Sequence, residues 1–206
     1  MRRFVARQNL QRFQDLLRSE TNPAERAQLE RLIEETRTEL RYLERIWTWS
    51  WPEAEIPEAV ADVLQETLED LLDRLGADLG SLQGVDSASG QLRLIWQRGF
   101  DPATVNRLGD ARTSDPAGWA SAVRDGAPFI IEDAEAGPCP PEARVWARSQ
   151  GVRAIHSLPV TDGRGEPVGV FSAHYRAPRR YGDHEARLVR PAFRNVVALV
   201  PALRAS

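Results

Sequence analysis

Few residues in this chain are of a type that does chemistry. Its 206 residues include one cysteine, Cys139, and three histidines, His156, His174 and His184. A lone thiol can neither close an internal disulfide nor join a multi-cysteine zinc site. It stands in Gly137-Pro138-Cys139-Pro140-Pro141, which reads as an exposed loop. His156 and His174 fall on two neighbouring expected strands, and a metal or haem would need both rings on one face. By alternation His156 shares a face with Ala154, Leu158 and Val160, and His174 with Val168, Val170 and Ser172. Which faces point inward is open at this level, and both read first as hydrogen-bonded or surface histidines. The acid pair Glu132-Asp133 ends an expected strand, where adjacent side chains point to opposite faces. That suits capping a turn better than concerted proton transfer. All 27 basic residues are arginine, so chemistry that needs a lysine nucleophile or a P-loop lysine is excluded. With no nucleophile–base pair and no ligand cluster, no catalytic residue and no metal site is assigned, and the chain reads as a non-enzyme.

Composition narrows the class further. Hydrophobic residues make up 42% and charged residues 28%, as in an ordinary globular protein. A formal net charge of −3 gives no electrostatic reason to expect nucleic acid. The basic start, MRRFVARQNLQRFQ, lacks the apolar core and small-residue cleavage site of a secretory leader. No run of eighteen apolar residues suggests a membrane span. The expectation is a cytoplasmic protein with no membrane partner.

The elements that must position these residues follow from periodicity. Ala6, Leu10, Phe13 and Leu17, widened by Leu16, give a helical stripe over residues 2–19. Asn22, Pro23 and Glu25 then read as N-cap, first helical position and capping-box partner of a second helix. That helix carries a heptad-spaced seam, Leu29, Ile33, Thr36, Leu40, Leu43 and Trp47, broken only by Thr36. The pair reads as an antiparallel hairpin over residues 1–51, able to pack on the adjoining domain or on a second copy of itself. Trp47, Trp49 and Trp51 alternate at its end and read as a seam-filling junction, with an exposed docking patch as the sharper alternative. A third helix runs from Pro57 to Leu75 and stops at Gly76. Strands are expected at 78–85 and 91–98, joined by Asp86-Ser87-Ala88-Ser89-Gly90, then short helices at 102–108 and 116–125, the second opened by Ser114-Asp115-Pro116. A strand at 127–132, a loop, a helix at 141–150, strands at 152–160 and 167–176, and a last helix from Asp183 towards Pro201 with a kink at Pro191 complete the order. Hairpins without a βαβ repeat predict an α+β domain over residues 52–206, an antiparallel sheet with helices on its faces.

Five phrases stand in that order: Leu75-Gly76-Ala77-Asp78-Leu79-Gly80-Ser81-Leu82-Gln83, Leu92-Arg93-Leu94-Ile95-Trp96-Gln97-Arg98-Gly99-Phe100, Ile130-Ile131-Glu132-Asp133, Gly151-Val152-Arg153-Ala154-Ile155-His156-Ser157-Leu158-Pro159-Val160 and Gly165-Glu166-Pro167-Val168-Gly169-Val170-Phe171-Ser172-Ala173-His174-Tyr175. Together they resemble the GAF family, especially the GAF modules of bacterial sensor kinases. The resemblance spans about residues 57–200 and implies a sensory or regulatory module. Methionine sulfoxide reduction, known on this fold, needs several cysteines and is set aside. Bilin attachment would place a histidine after the cysteine, where Pro140 stands, and the cyclic-nucleotide signature needs a lysine. The cofactor stays unknown. The resemblance places any pocket between the sheet and the irregular segments of residues 100–150. Its candidate lining is Phe100, Trp119, Phe129, Trp146, Arg153, His156, Phe171 and His174, with Arg153 as a possible anion anchor. No output domain follows residue 206, so a signal is expected to pass through a homodimer built on the helices, or to a signalling partner in trans. A ligand-free scaffold is the alternative, and a haem or bilin sensor the third reading.

Overall fold

Leucine spacing, glycine stops and two-residue alternation produce twelve elements in the computed structural model, which describes residues 2–45, 58–86 and 89–199. In order they are α1 (Arg2–Ser19), α2 (Pro23–Arg45), α3 (Glu58–Leu75), β1 (Leu79–Asp86), β2 (Gln91–Arg98), α4 (Pro102–Gly109), α5 (Gly118–Asp125), β3 (Phe129–Ile131), α6 (Pro141–Gln150), β4 (Ala154–Thr161), β5 (Pro167–Tyr175) and α7 (Asp183–Leu199). The chain divides into two compact units, Met1–Trp47 and Thr48–Ser206.

In the first unit, α1 and α2 pack as a hairpin. Ala6, Ile33, Thr36 and Leu40 are buried between them, whereas Leu16 lies 46% exposed and outside the stripe. Thr36 fits the apolar seam because its hydroxyl donates to the Leu32 carbonyl at 2.7 Å. Asn22 caps α2, its side chain accepting from Ala24 N at 2.9 Å. The reciprocal contact comes from the preceding residue pair, however: Glu20, and not Glu25, accepts the Asn22 amide at 2.8 Å. Trp47, Trp49 and Trp51 lie outside the described residues.

The second unit is a five-stranded antiparallel sheet in the order β2-β1-β5-β4-β3. On one face lie α3 and α7. Leu64, Leu68, Leu71, Leu72 and Leu75 of α3 are all buried. Leu72 packs so tightly on Gly80 of β1 that a Cβ there would lie 2.6 Å from Leu72 Cδ1. Phe171 of β5 meets Phe193 of α7 edge-on at 5.7 Å. The helix α7 runs through Pro191 as one element, and its start is held by Glu185, which accepts the Gly182 amide at 3.0 Å.

The other face of the sheet carries α4, α5 and α6. Here α5 begins two residues later than the sequence suggests. Asp115 accepts the Arg112 amide at 2.8 Å and so caps the preceding turn instead of the helix. Among the described residues no helix is long and apolar enough to cross a membrane.

Candidate functional site

Strand register fixes which side chains meet beneath α4–α6. Residues that pair across strands share a face. Gln97 pairs with Ser81, Ser81 with Ser172, Ser172 with Ser157, and Ser157 with Phe129, giving one row across all five strands. Four of its members are polar and each is about 1% exposed. Ser157 and Ser172 satisfy one another at 2.9 Å. One step along the strands, His174 pairs with Leu79 and Ile155 on the same face.

Above the β4 side of this row a cavity of about 210 Å³ opens, lined by Arg107, Pro116, Ala117, Gly118, Trp119, Phe129, Pro140, Glu142, Ala143, Trp146, Ile155, Ser157 and His174. Its walls come from α4, α5, β3, α6, β4 and β5. Phe129 can pack against the first turn of α5 only because residue 118 is glycine; a Cβ there would lie 2.3 Å from the ring. His174 is 3% exposed and boxed by Phe100 and Trp146, with ring centroids at 5.1 and 5.2 Å. Burial pushes its imidazole down to about 3, with the charge of His156 adding to the fall and a backbone contact with Leu79 opposing it. It is therefore neutral at physiological pH. Its Nδ1 is buried without a hydrogen-bond partner, and so are the indole nitrogens of Trp119 and Trp146. All three nitrogens have almost no accessible surface, so the cavity is faced by the carbon edges of these rings.

Of the eight residues expected to line a pocket, Trp119, Phe129, Trp146 and His174 do so. Phe100 stands one layer behind, against Trp146 at 6.1 Å and His174. The other three lie elsewhere. Phe171 faces α7. His156 pairs with Ala173, on the face opposite His174, where its Nε2 meets the Arg179 carbonyl at 3.1 Å and its ring packs on Tyr175 and Tyr181. The two strand histidines thus cannot hold one metal or haem between them. Among the described residues no group of three or more His, Cys, Asp or Glu could hold a metal ion. Arg153 is tied to Asp133 at 2.8 Å and to Glu135 at 3.6 Å, an internal pairing and not an anion anchor. Hydrogen bonds from the Glu135 amide and from Arg153 hold the Asp133 carboxyl below its usual range. Asp133 caps the turn after β3, as its sequence position suggested.

Cys139 is half-buried, not exposed; it packs against the cluster of Ile131, Ala134 and Ala147, and burial raises its thiol. Sequence reasoning missed Arg107, Gly118, Glu142, Ile155 and Ser157. Ile155 and Ser157 were within reach, because they alternate with His156 on the opposite face. The role of Gly118 depends on a ring eleven residues away and left no local signal.

The sequence model of the family described as GAF domain matches residues 58–196, about two-thirds of the chain. The chain belongs to the GAF family. Its fold is similar to a domain of a protein described as a two-component sensor histidine kinase from Sinorhizobium meliloti, at TM-score 0.55 and 21% identity, over 70% of this chain and 92% of that one. It is also similar to the GAF domain of a phosphoenolpyruvate-protein phosphotransferase from Acinetobacter (TM-score 0.53, 12% identity, 97% of this chain and 92% of that one). A third similar structure is the type II free methionine-R-sulfoxide reductase of Thermoplasma acidophilum (TM-score 0.53, 14% identity, 71% of this chain and 92% of that one). No curated protein matches the chain. At these identities the likeness is one of fold. GAF domains are generally sensory or regulatory modules in signalling, and some structures of the same fold are named as enzymes.

Proposed function

We propose that this GAF domain is a non-enzymatic sensory module that holds a small molecule in the cavity under α4–α6. The observation that carries this reading is open space between the sheet and α4–α6, walled by aromatic rings that do not fill it. The cavity is lined by the rings of Trp119, Phe129, Trp146 and His174. A scaffold without a ligand would instead be expected to fill that space with its rings. At about 210 Å³ the cavity lies below the ~300–1,000 Å³ of drug-sized sites, so the ligand is metabolite-sized.

The output is a homodimer carried on the helices, read in turn by a signalling partner. Val63 of α3, 48% exposed, lines a surface groove with Leu188 and Pro191 of α7 and supports a helical interface. Ligand binding would then bias two helix arrangements by its differential affinity for them. Native mass spectrometry of the purified protein, beside its absorption spectrum, is the test. Retained mass of metabolite size is the expected result. A clean polypeptide mass, with no thermal shift across a metabolite library, would move the assignment to the scaffold. A visible band would move it to a haem or bilin sensor.

A further inference from the structure

Carbon dominates the wall of the cavity under α4–α6. Its sheet side is Phe129, Ile155, Ser157 and His174, and the helices add Trp119 and Trp146. The Ser157 hydroxyl is already engaged with Ser172 at 2.9 Å, and His174 is an uncharged ring. Two charged side chains reach the wall, Arg107 and Glu142; both are exposed residues, and their signs are opposite. Arg107 lies over the Trp119 ring, its guanidinium 5.7 Å from the centroid. An entering anion therefore meets Glu142 and an entering cation meets Arg107, and neither finds a buried counter-charge among the lining residues. Stripping water from a charge without such a partner is costly, whereas apolar surface gains by leaving water. The start of α5 at Ala117, which no side chain caps, is the feature that favours an anion. It offers only a partial charge, and Glu142 on the same wall opposes it.

Size and ring geometry narrow the class. A cavity of about 150 Å³ lined by Leu, Ile and Phe holds benzene; at about 210 Å³ this one has room for a second fused ring. The edges of aromatic rings carry the positive end of the ring quadrupole and their faces the negative end. A cavity faced by ring edges thus favours a guest that presents a π-face to them over a saturated guest of the same size. We infer that the cavity binds an uncharged aromatic molecule of about the size of indole. This rests on the proposed sensory role and names the ligand class for it.

The probe is indole, titrated into the full chain and read by calorimetry and by the NMR signals of the tryptophan side-chain N–H groups. Benzoate and benzylammonium serve as an anion and a cation of similar size, and phenol with its saturated counterpart cyclohexanol tests the ring. Indole should bind about tenfold or more tightly than either ion, because each ion must lose water without a buried partner. Phenol should bind more weakly than indole and about threefold or more tightly than cyclohexanol, as for one aromatic pair. The NMR shifts should centre on Trp119 and Trp146. Ala143→Leu puts a larger side chain into the cavity from α6 and keeps a good helix former there; it should abolish indole binding. If that variant does not fold, the shifts in the parent still locate the site. An ion that binds as tightly as indole would overturn the uncharged class, and cyclohexanol binding as tightly as phenol would overturn the aromatic one. Indole held at full affinity by a folded Ala143→Leu, or shifts away from Trp119 and Trp146, would overturn the site. No binding of indole at millimolar concentration would overturn the inference, and so would a charged metabolite retained in the native mass spectrum, which keeps the sensory reading. That reading falls separately, through the clean polypeptide mass and the library without a thermal shift.

Discussion

His174 shows how one strand position sets both a local charge state and a pH response. Its neutral ring fits between Phe100 and Trp146, and a charged ring there would lack solvation. The unfolded chain takes up a proton near pH 6.5, whereas the folded one resists until about 3. In that interval the unfolded state binds more protons, so stability falls as pH falls. His156, also lowered by burial, adds to the same slope. Between pH 6.5 and 5 few carboxylates titrate, so the fall in Tm there should be smaller in His174→Asn than in the parent. An unchanged slope would place the acid sensitivity elsewhere. The His174 ring should also show no NMR titration above pH 5. Gly118 is the second residue with a sharp expectation. Gly118→Ala puts a methyl into the Phe129 ring, an overpacking that costs about 1–3 kcal/mol. A variant with the parental Tm would show that the ring contact is unimportant.

At the scale of elements, α3 offers an internal control. Leu68 is fully buried and Val63 is 48% exposed on the same helix. Leu68→Ala should cost about 2–5 kcal/mol in chemical denaturation, and Val63→Ala less than about 0.5 kcal/mol in a monomer. A larger loss at Val63 that grows with protein concentration would mean that a second copy covers it. Elements were legible wherever periodicity was long. The leucines of α3, the hairpin seam and the alternation in β2 and β5 declared themselves because each pattern repeats several times. The features that stayed hidden depended on contacts distant in sequence. Asp115 looks like a helix cap, but the Arg112 amide takes it. Arg153 looks like an anion anchor, but its carboxylate partners, Asp133 and Glu135, lie across a strand pairing. Of the eight residues expected around a pocket, four face the cavity, because strand parity was known from sequence while the direction of each face was not.

For the whole molecule, the prediction is a dimer at tens of micromolar by light scattering, which becomes a monomer when residues 1–50 are removed. A full chain that stays monomeric would rule out the proposed helical output, and an unchanged subunit count after removal would shift it to α3 and α7. The strand order also has a consequence for biosynthesis. β5 is the last strand made, yet it lies third of five, paired to both β1 and β4. Until residues 167–175 leave the ribosome, the β1–β2 hairpin and the β3–β4 pair are two fragments with no sheet to join. Each exposes a bare edge during that interval, the kind of surface on which nascent chains aggregate or recruit chaperones. Domain closure thus waits for the emergence of β5, and a nascent chain arrested before residue 167 should be cut readily by protease where a chain with β5 emerged resists.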